Sequence, residues 1–375
     1  MRHFSVSVIS VVVAAVLVGC TPAAVPTPAA PADAVPTAAP EASTPAPSLS
    51  PMPSASTAPA VPSDPAPVAE PVRFFGGECS RALAEAQLDA LLDEGWRPYD
   101  DFLQEQVPDV KARTSFAPEG TLGGISCRWK APEGSSSGLW DLEVLVLPAA
   151  EVPTSFRTQF STQKCGWNYD ALICRLAAVR GDAWILASTM ADGSEDRDPD
   201  HAAALGRAIS AVSDAVENNP TSPKPASRTG EWWETPSCTV LGEGMRIDDL
   251  TSGTFRAGYW EGSPQPEQIL LDQAGVQRNC PWFSDSETID PGETFRIFTV
   301  TAAPGAHWAW ESVTAGASEV EVAGAMEART FSRPADEGGD LYVTDGANIL
   351  VVGGEDTEFL VEIAERALAV LDETT

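Results

Sequence analysis

Apolar positions fall into three regimes along the chain. Residues 6–18 form one unbroken apolar run, and residues 21–72 show no periodic pattern. From residue 73 onward, apolar positions recur with the periods of regular structure. Leu205, Ile209, Val212 and Val216 are spaced +4, +3 and +4, which places them on one face of a helix. Leu360, Ile363, Ala364, Ala367 and Leu371 make the same stripe near the C-terminus. Residues 80–93 predict a further helix, with Leu83, Ala86, Ala90 and Leu91 on one side. Leu142-Glu143-Val144-Leu145-Val146 and Phe295-Arg296-Ile297-Phe298-Thr299-Val300 read as strands. Arg180-Gly181-Asp182 separates residues 176–179 from 184–188, and Asp345-Gly346-Ala347 separates residues 341–343 from 349–352. Both have the chemistry of a tight hairpin turn.

These elements occur twice in the same order. In each half a cysteine (Cys79, Cys238) is followed, after an interval, by Cys-x-Trp: Cys127-Arg128-Trp129 in one, Cys280-Pro281-Trp282 in the other. A strand, a hairpin and a closing helix come after. Only the early helix lacks a clear counterpart, because Thr239-Val240-Leu241-Gly242-Glu243-Gly244 is too rich in glycine to predict one. Between the halves, Asn218-Asn219-Pro220-Thr221-Ser222-Pro223-Lys224-Pro225 has linker composition. The expectation is an α+β fold of two tandem, diverged copies, residues 73–218 and 228–375, joined by a linker at 219–227. Each copy is a small antiparallel sheet with helices on one face.

The N-terminal regime reads differently. Arg2 precedes an apolar run too short to cross a bilayer, so residues 1–19 predict a signal peptide. The run ends in Leu17-Val18-Gly19-Cys20, which resembles the lipobox of bacterial lipoproteins. That resemblance implies cleavage before Cys20 and a diacylglyceryl group on its sulfur, anchoring the chain to the outer face of the cytoplasmic membrane. From Thr21 to Val72, 15 of 52 residues are proline and none is aromatic. Residues 20–72 therefore read as the lipidated cysteine and a disordered linker, which as polyproline II would reach at most about 160 Å.

With Cys20 carrying lipid, six cysteines remain, an even number in an oxidising compartment. Cys238 and Cys280 have only each other. The four of the first copy allow three connectivities. Equivalence of the copies pairs Cys79 with Cys127, which leaves Cys165 with Cys174. No Cys-x-x-Cys occurs, so neither a metal nor another cofactor is expected.

Charge narrows the partners. The formal net charge is −31, and from Arg228 onward eight arginines and no lysine stand against 27 acidic residues. Such a surface repels nucleic acid and anionic headgroups and tolerates a cationic partner. No catalytic constellation is legible, and a non-enzyme is expected. Gly134-Ser135-Ser136-Ser137-Gly138 matches the serine-nucleophile pattern G-x-S-x-G but lies between two strands, where no strand-to-helix elbow forms. Asp192-Gly193-Ser194-Glu195-Asp196-Arg197-Asp198 lacks the ligand spacing of a calcium loop. The eleven tryptophans are the feature with binding potential. Trp129 and Trp282 sit beside the disulfides and belong in the core. Adjacent Trp232 and Trp233 cannot both enter one core from an extended segment, and Trp308 and Trp310 would share one side of a strand. These four are the candidate binding surface.

The lipobox, the Pro/Ala/Thr linker and the domain bearing Cys…Cys-x-Trp (Cys79, Cys127, Trp129; Cys238, Cys280, Trp282) together resemble actinobacterial cell-envelope lipoproteins of uncharacterised function. Those domains are similar to the extracytoplasmic sensor domains of bacterial Ser/Thr kinases. The resemblance implies a disulfide-braced α+β unit and brings no catalytic residues. The function expected is a non-catalytic binding or sensing module, recognising a cell-wall ligand or an envelope protein. The alternative is a structural or assembly subunit of an envelope protein complex.

Overall fold

The computed structural model describes residues 70–106, 117–168, 171–192, 200–219, 222–250, 254–259, 263–285, 296–332, 339–354 and 357–374. The signal peptide, Cys20, nearly all of the Pro-rich linker and the acidic loop after Asp192 lie outside the described residues. Everything described belongs to one compact unit, Asp64–Thr375.

The first copy is built on an antiparallel sheet of β1 (Arg97–Pro98), β2 (Ile125–Lys130), β3 (Leu139–Pro148), β4 (Lys164–Asn168), β5 (Ala171–Arg180) and β6 (Ala183–Asp192). Their order in space is β1-β2-β3-β6-β5-β4. The second copy contributes β7 (Phe255–Ala257), β8 (Arg278–Ser284), β9 (Ile297–Ala303), β10 (Ser318–Glu319), β11 (Glu327–Ser332), β12 (Gly339–Thr344) and β13 (Ile349–Gly354). These are ordered β7-β8-β9-β13-β12-β11-β10, the same path with one added edge strand. Register matches as well: Cys127 pairs Val144 in the first sheet, and Cys280 pairs Val300 in the second.

The helices are α1 (Glu85–Leu92), α2 (Tyr99–Gln106), α3 (Pro118–Thr121), α4 (Thr154–Gln159) and α5 (His201–Asn218) in the first copy. In the second they are α6 (Cys238–Met245), α7 (Pro266–Gln273), α8 (Trp310–Val313) and α9 (Thr357–Asp372). Alternation along β2 sends Ile125, Cys127 and Trp129 inward, where they join Leu142, Val144, Val146, Ile185 and Ala187 under α1 and the stripe of α5. The second core repeats this with Trp282, Phe298, Val300, Leu341 and Val352 under α6 and α9. The predicted helix over 80–93 is shorter, a 3-10 turn at Cys79–Arg81 followed by α1.

The glycine-rich segment 239–244 forms a helix after all. The Ser237 hydroxyl caps α6 by accepting from the Val240 N–H, which compensates part of the poor propensity. Its glycines are packing positions: Cβ atoms there would press on Trp282 (Gly242) and Val370 (Gly244). Small residues let α6 approach the sheet and α9, and tertiary packing outweighs intrinsic preference.

The opposite face of the first sheet is also covered. Leu145, Leu147, Trp184 and Leu186 meet Phe156 and Phe160 around α4, together with Trp232, Leu270, Leu271 and Val276 of the second copy. The connecting segment is docked: Val72 and Lys224 exchange backbone hydrogen bonds (3.0 and 2.8 Å), and Ala226 donates to the Thr121 carbonyl at 2.8 Å. A shared apolar seam explains why the two sheets form one unit. Disulfides join Cys79–Cys127, Cys165–Cys174 and Cys238–Cys280, with Cα separations of 5.6, 4.0 and 5.3 Å.

Candidate binding cleft

The four tryptophans expected at a binding surface do not form one. Trp232 and Trp233 are 7% and 2% exposed. The chain turns there, so the two indoles diverge: Trp232 enters the seam against the first sheet, while Trp233 enters the second core. Fully buried Asn348 holds this geometry. Its amide donates to the Glu231 carbonyl and the Asp345 carboxylate, and its oxygen accepts from the Gly305 and Trp233 N–H groups. Trp308 and Trp310 lie on a 3-10 turn and α8, not on a strand, so residues two apart point in different directions. Trp310 is core, its Nε1 donating to Glu327 at 2.9 Å. Trp308 lies in the seam, its Nε1 donating to the Thr121 hydroxyl, with the Arg73 guanidinium over its ring at 4.9 Å. Trp232 and Trp308 join the copies, while Trp233 and Trp310 pack within the second.

Among the described residues the exposed indoles are instead Trp140 and, at 63% the more accessible, Trp167 on edge strand β4 beside the Cys165–Cys174 bridge. The serine loop between β2 and β3 is a mooring: the Ser136 hydroxyl donates to the Asp93 carboxylate, and the Ser135 hydroxyl lies within hydrogen-bond distance of both that carboxylate and the Leu92 carbonyl. The two described histidines are engaged elsewhere, His201 with the Thr189 hydroxyl and His307 with that of Thr344.

Polar chemistry gathers on the first sheet. Cross-strand pairing lines up Arg128, Glu143, Ser188 and Arg175 on β2, β3, β6 and β5. Direct partners share a face, so this is one row. The Arg128 guanidinium donates to Asp141 (2.5 and 3.2 Å) and lies 3.8 Å from the centre of the Tyr99 ring. Arg175 grips Glu267 of α7 through both Nε (2.8 Å) and Nη2 (3.4 Å), and Nη2 also donates to Gln265. Glu143 accepts one long hydrogen bond, from Ser126 at 3.3 Å.

This row borders a cleft of about 1100 Å³ along the edge of β2, lined among others by Trp96, Tyr99, Glu119, Ser126, Arg128 and Glu143. The cleft lies where β1 covers only Trp129 and Lys130, leaving residues 125–128 paired with β3 on one side and with no strand on the other among the described residues. Its floor holds two unusual carboxyls. Burial pushes Glu119 up to about 7 against the pull of its own N–H, the Ser126 N–H and Arg73. Burial and the Glu267 carboxylate raise Glu143 to about 7, opposed by Arg128 and Arg175. In the second copy the equivalent row reads Pro281, Thr299, Gly353 and Asp340. There the Tyr259 hydroxyl accepts from the Asn279 amide of β8 at 2.9 Å.

The cleft residues were not singled out by motif. A signal was available: Glu143 and Arg175 are charges set between apolar neighbours, in Leu142-Glu143-Val144 and Ile173-Cys174-Arg175-Leu176. Which element would answer them, α7 of the other copy, is a property of the packing.

No family model matches the chain, and neither does any curated protein. Among solved structures, DynU16, a protein of the dynemicin biosynthetic locus, aligns over 75% of this chain and 96% of its own. Its sequence identity is 10% and its TM-score 0.12, a likeness too slight to carry any argument.

Proposed function

We propose that this chain is a lipid-anchored lipoprotein of the cell envelope, held through Cys20 at the outer face of the cytoplasmic membrane, that binds a ligand without transforming it. In this reading the β2-edge cleft is the recognition site. The supporting observation is the divergence of the two copies. Both keep the strand order, the disulfide, the buried Cys-x-Trp and the closing helix, which the fold requires. They differ in the row across the sheet: Arg128, Glu143, Ser188 and Arg175 in the first copy stand where the second has Pro281, Thr299, Gly353 and Asp340. Departure from the shared scaffold is where a specific function is sought, since function belongs to sites rather than folds. The likeness to envelope sensor domains is part of this proposal.

The second reading, an accessory subunit of an envelope complex, is favoured by exposed Trp167 on edge strand β4, an edge open to another chain. One experiment separates the two. A photo-crosslinking residue is placed at Asp100 on the cleft rim, at Trp167, or at exposed Val240 as a control, in living cells making the complete chain. An adduct of an envelope glycan or peptide at Asp100 alone is the expected result. A discrete protein adduct at Trp167 with nothing at Asp100 would replace the first reading by the second. Metabolic labelling with an alkyne fatty acid tests the anchor: wild type takes the label and Cys20→Ala does not.

A further inference from the structure

We infer that the cleft recognises a primary ammonium group on its ligand, with Glu143 as the counter-ion. This rests on the reading of the cleft as a binding site. The geometry supplies three reasons. First, each arginine of the row already has an acidic partner: Arg128 is bound to Asp141 and stacked on Tyr99, and Arg175 is clasped to Glu267 and Gln265. Lys130 is opposite Asp141 in the register, so it does not answer Glu143 either. Second, Glu143 has no ion pair among the described residues, and its one hydrogen bond, from the Ser126 hydroxyl, is long. A carboxylate keeps lone pairs for several donors, and an ammonium brings three N–H groups. Third, this carboxyl faces a cleft large enough for a short peptide or a disaccharide, with Trp96 and Tyr99 in its walls. Aromatic walls beside a carboxylate suit a cation with an apolar stem.

An anionic ligand fits the same cleft poorly. It would have to displace Asp141 from Arg128 and would meet Glu143 and Glu119 on the floor. A neutral ligand leaves Glu143 in its protonated form and gains no ion pair from it.

Proton binding competes with this recognition. Glu143 is faced by Arg128 on β2, Asp141 on its own strand, Arg175 on β5 and Glu267 on α7. Burial and Glu267 hold it protonated to about pH 7 in the empty protein. An ammonium therefore binds only after that proton leaves, so affinity rises with pH through neutrality. The ammonium of lysine, ordinarily near pKa 10.4, stays charged throughout, so a gain of roughly thirtyfold between pH 5.5 and 8 reports on the cleft carboxyls, Glu143 and Glu119, which Glu143→Gln tells apart.

The test is a titration of the complete chain in detergent, followed by the indole N–H signals of Trp96 and Trp129. The probes are putrescine, capped lysine and a capped Ala-Lys-Ala tripeptide, each beside the counterpart with every ammonium acetylated. The expected result is at least tenfold tighter binding of the ammonium forms, rising with pH. Glu143→Gln should abolish both the preference and its pH dependence, while Glu143→Asp, which keeps the charge, should retain the preference. Equal binding of both forms, no binding by either, or a preference surviving in Glu143→Gln with unchanged thermal melting overturns the inference. A cross-link to an uncharged ligand at Asp100 would do the same while leaving the cleft reading intact. Silence at Asp100 removes the cleft reading itself.

Discussion

Trp308 donates its indole N–H to the hydroxyl of Thr121 at 3.1 Å, a hydrogen bond spanning 187 residues of sequence and tying the second copy to the first. The same ring carries the Arg73 guanidinium on its face. Arg73 is also the cation nearest in effect to buried Glu119, so one aromatic side chain joins the seam to the cleft. Replacing Trp308 by alanine removes the ring, the hydrogen bond and the cation–π contact together. The expected loss is about 3 kcal/mol. Trp308→Phe should cost less, since it keeps the ring and leaves Thr121 only one donor short. Guanidinium unfolding followed by circular dichroism and by tryptophan fluorescence would measure both. Wild type should give coincident curves and Trp308→Ala separated ones. Coincident curves with a loss below about 0.5 kcal/mol, the range of ordinary surface changes, would show that the seam does not depend on this side chain.

Gly305 makes a sharper case. Its φ is +71°, and a Cβ there would fall inside the Trp232 ring. Gly305→Ala must therefore adopt a left-handed backbone and displace an indole already packed between the copies. The two penalties together come to about 3 kcal/mol or more. Thermal melting of Gly305→Ala, compared with Gly230→Ala, where a Cβ meets open space, gives the measure. A drop confined to the Gly305 variant is expected, and equal small shifts would contradict the close packing.

Glu119 predicts how stability changes with pH. Its folded value of about 7 stands above the ordinary 4.5, so between these values the folded protein holds a proton that the unfolded chain has released. Stability from this group is present in full below about pH 4.5 and is lost as pH rises to about 7. At about 1.4 kcal/mol per unit, the loss comes to about 3–4 kcal/mol. Glu119→Gln stays neutral throughout and should lack this decline. The difference in unfolding free energy between wild type and variant, taken from pH 4.5 to 8, isolates the group from other carboxyls. A constant difference would mean that Glu119 titrates normally.

The parts of the fold legible in the sequence are those set by local periodicity and by duplication. The stripes of α5 and α9 are read correctly because a helix needs only its own spacing to expose an apolar face. The disulfides follow from comparing the copies. The helix α6 is missed because its glycines serve a neighbour, Trp282, that propensity does not see. Trp232 and Trp233 are misplaced for a related reason. Two adjacent indoles cannot share one core, but two cores meet at this point, and the seam between copies is invisible in a linear pattern. The cleft is hidden likewise, since Glu143 is unusual only once Arg175 is known to belong to Glu267.

The three disulfides should differ in both worth and accessibility. In the chain-entropy view, the 48-residue Cys79–Cys127 link contributes about 4 kcal/mol and the 9-residue Cys165–Cys174 link about 2.6 kcal/mol. Cys127 and Cys280 are buried within the two cores, and Cys79 and Cys238 are partly covered. Cys165 is exposed on edge strand β4, so a reductant reaches that bridge without any opening of a core. Brief treatment with a low concentration of phosphine, then alkylation and peptide mass spectrometry, should label Cys165 first. Cys174, which is fully buried, should follow only as β4 separates from β5. Removing the pair as Cys165→Ser with Cys174→Ala should cost clearly less stability than removing Cys79 and Cys127 in the same manner. First labelling at Cys127 or Cys280 would mean that the cores open more readily than the β4 edge, contrary to the packing of α1 and α6 over them.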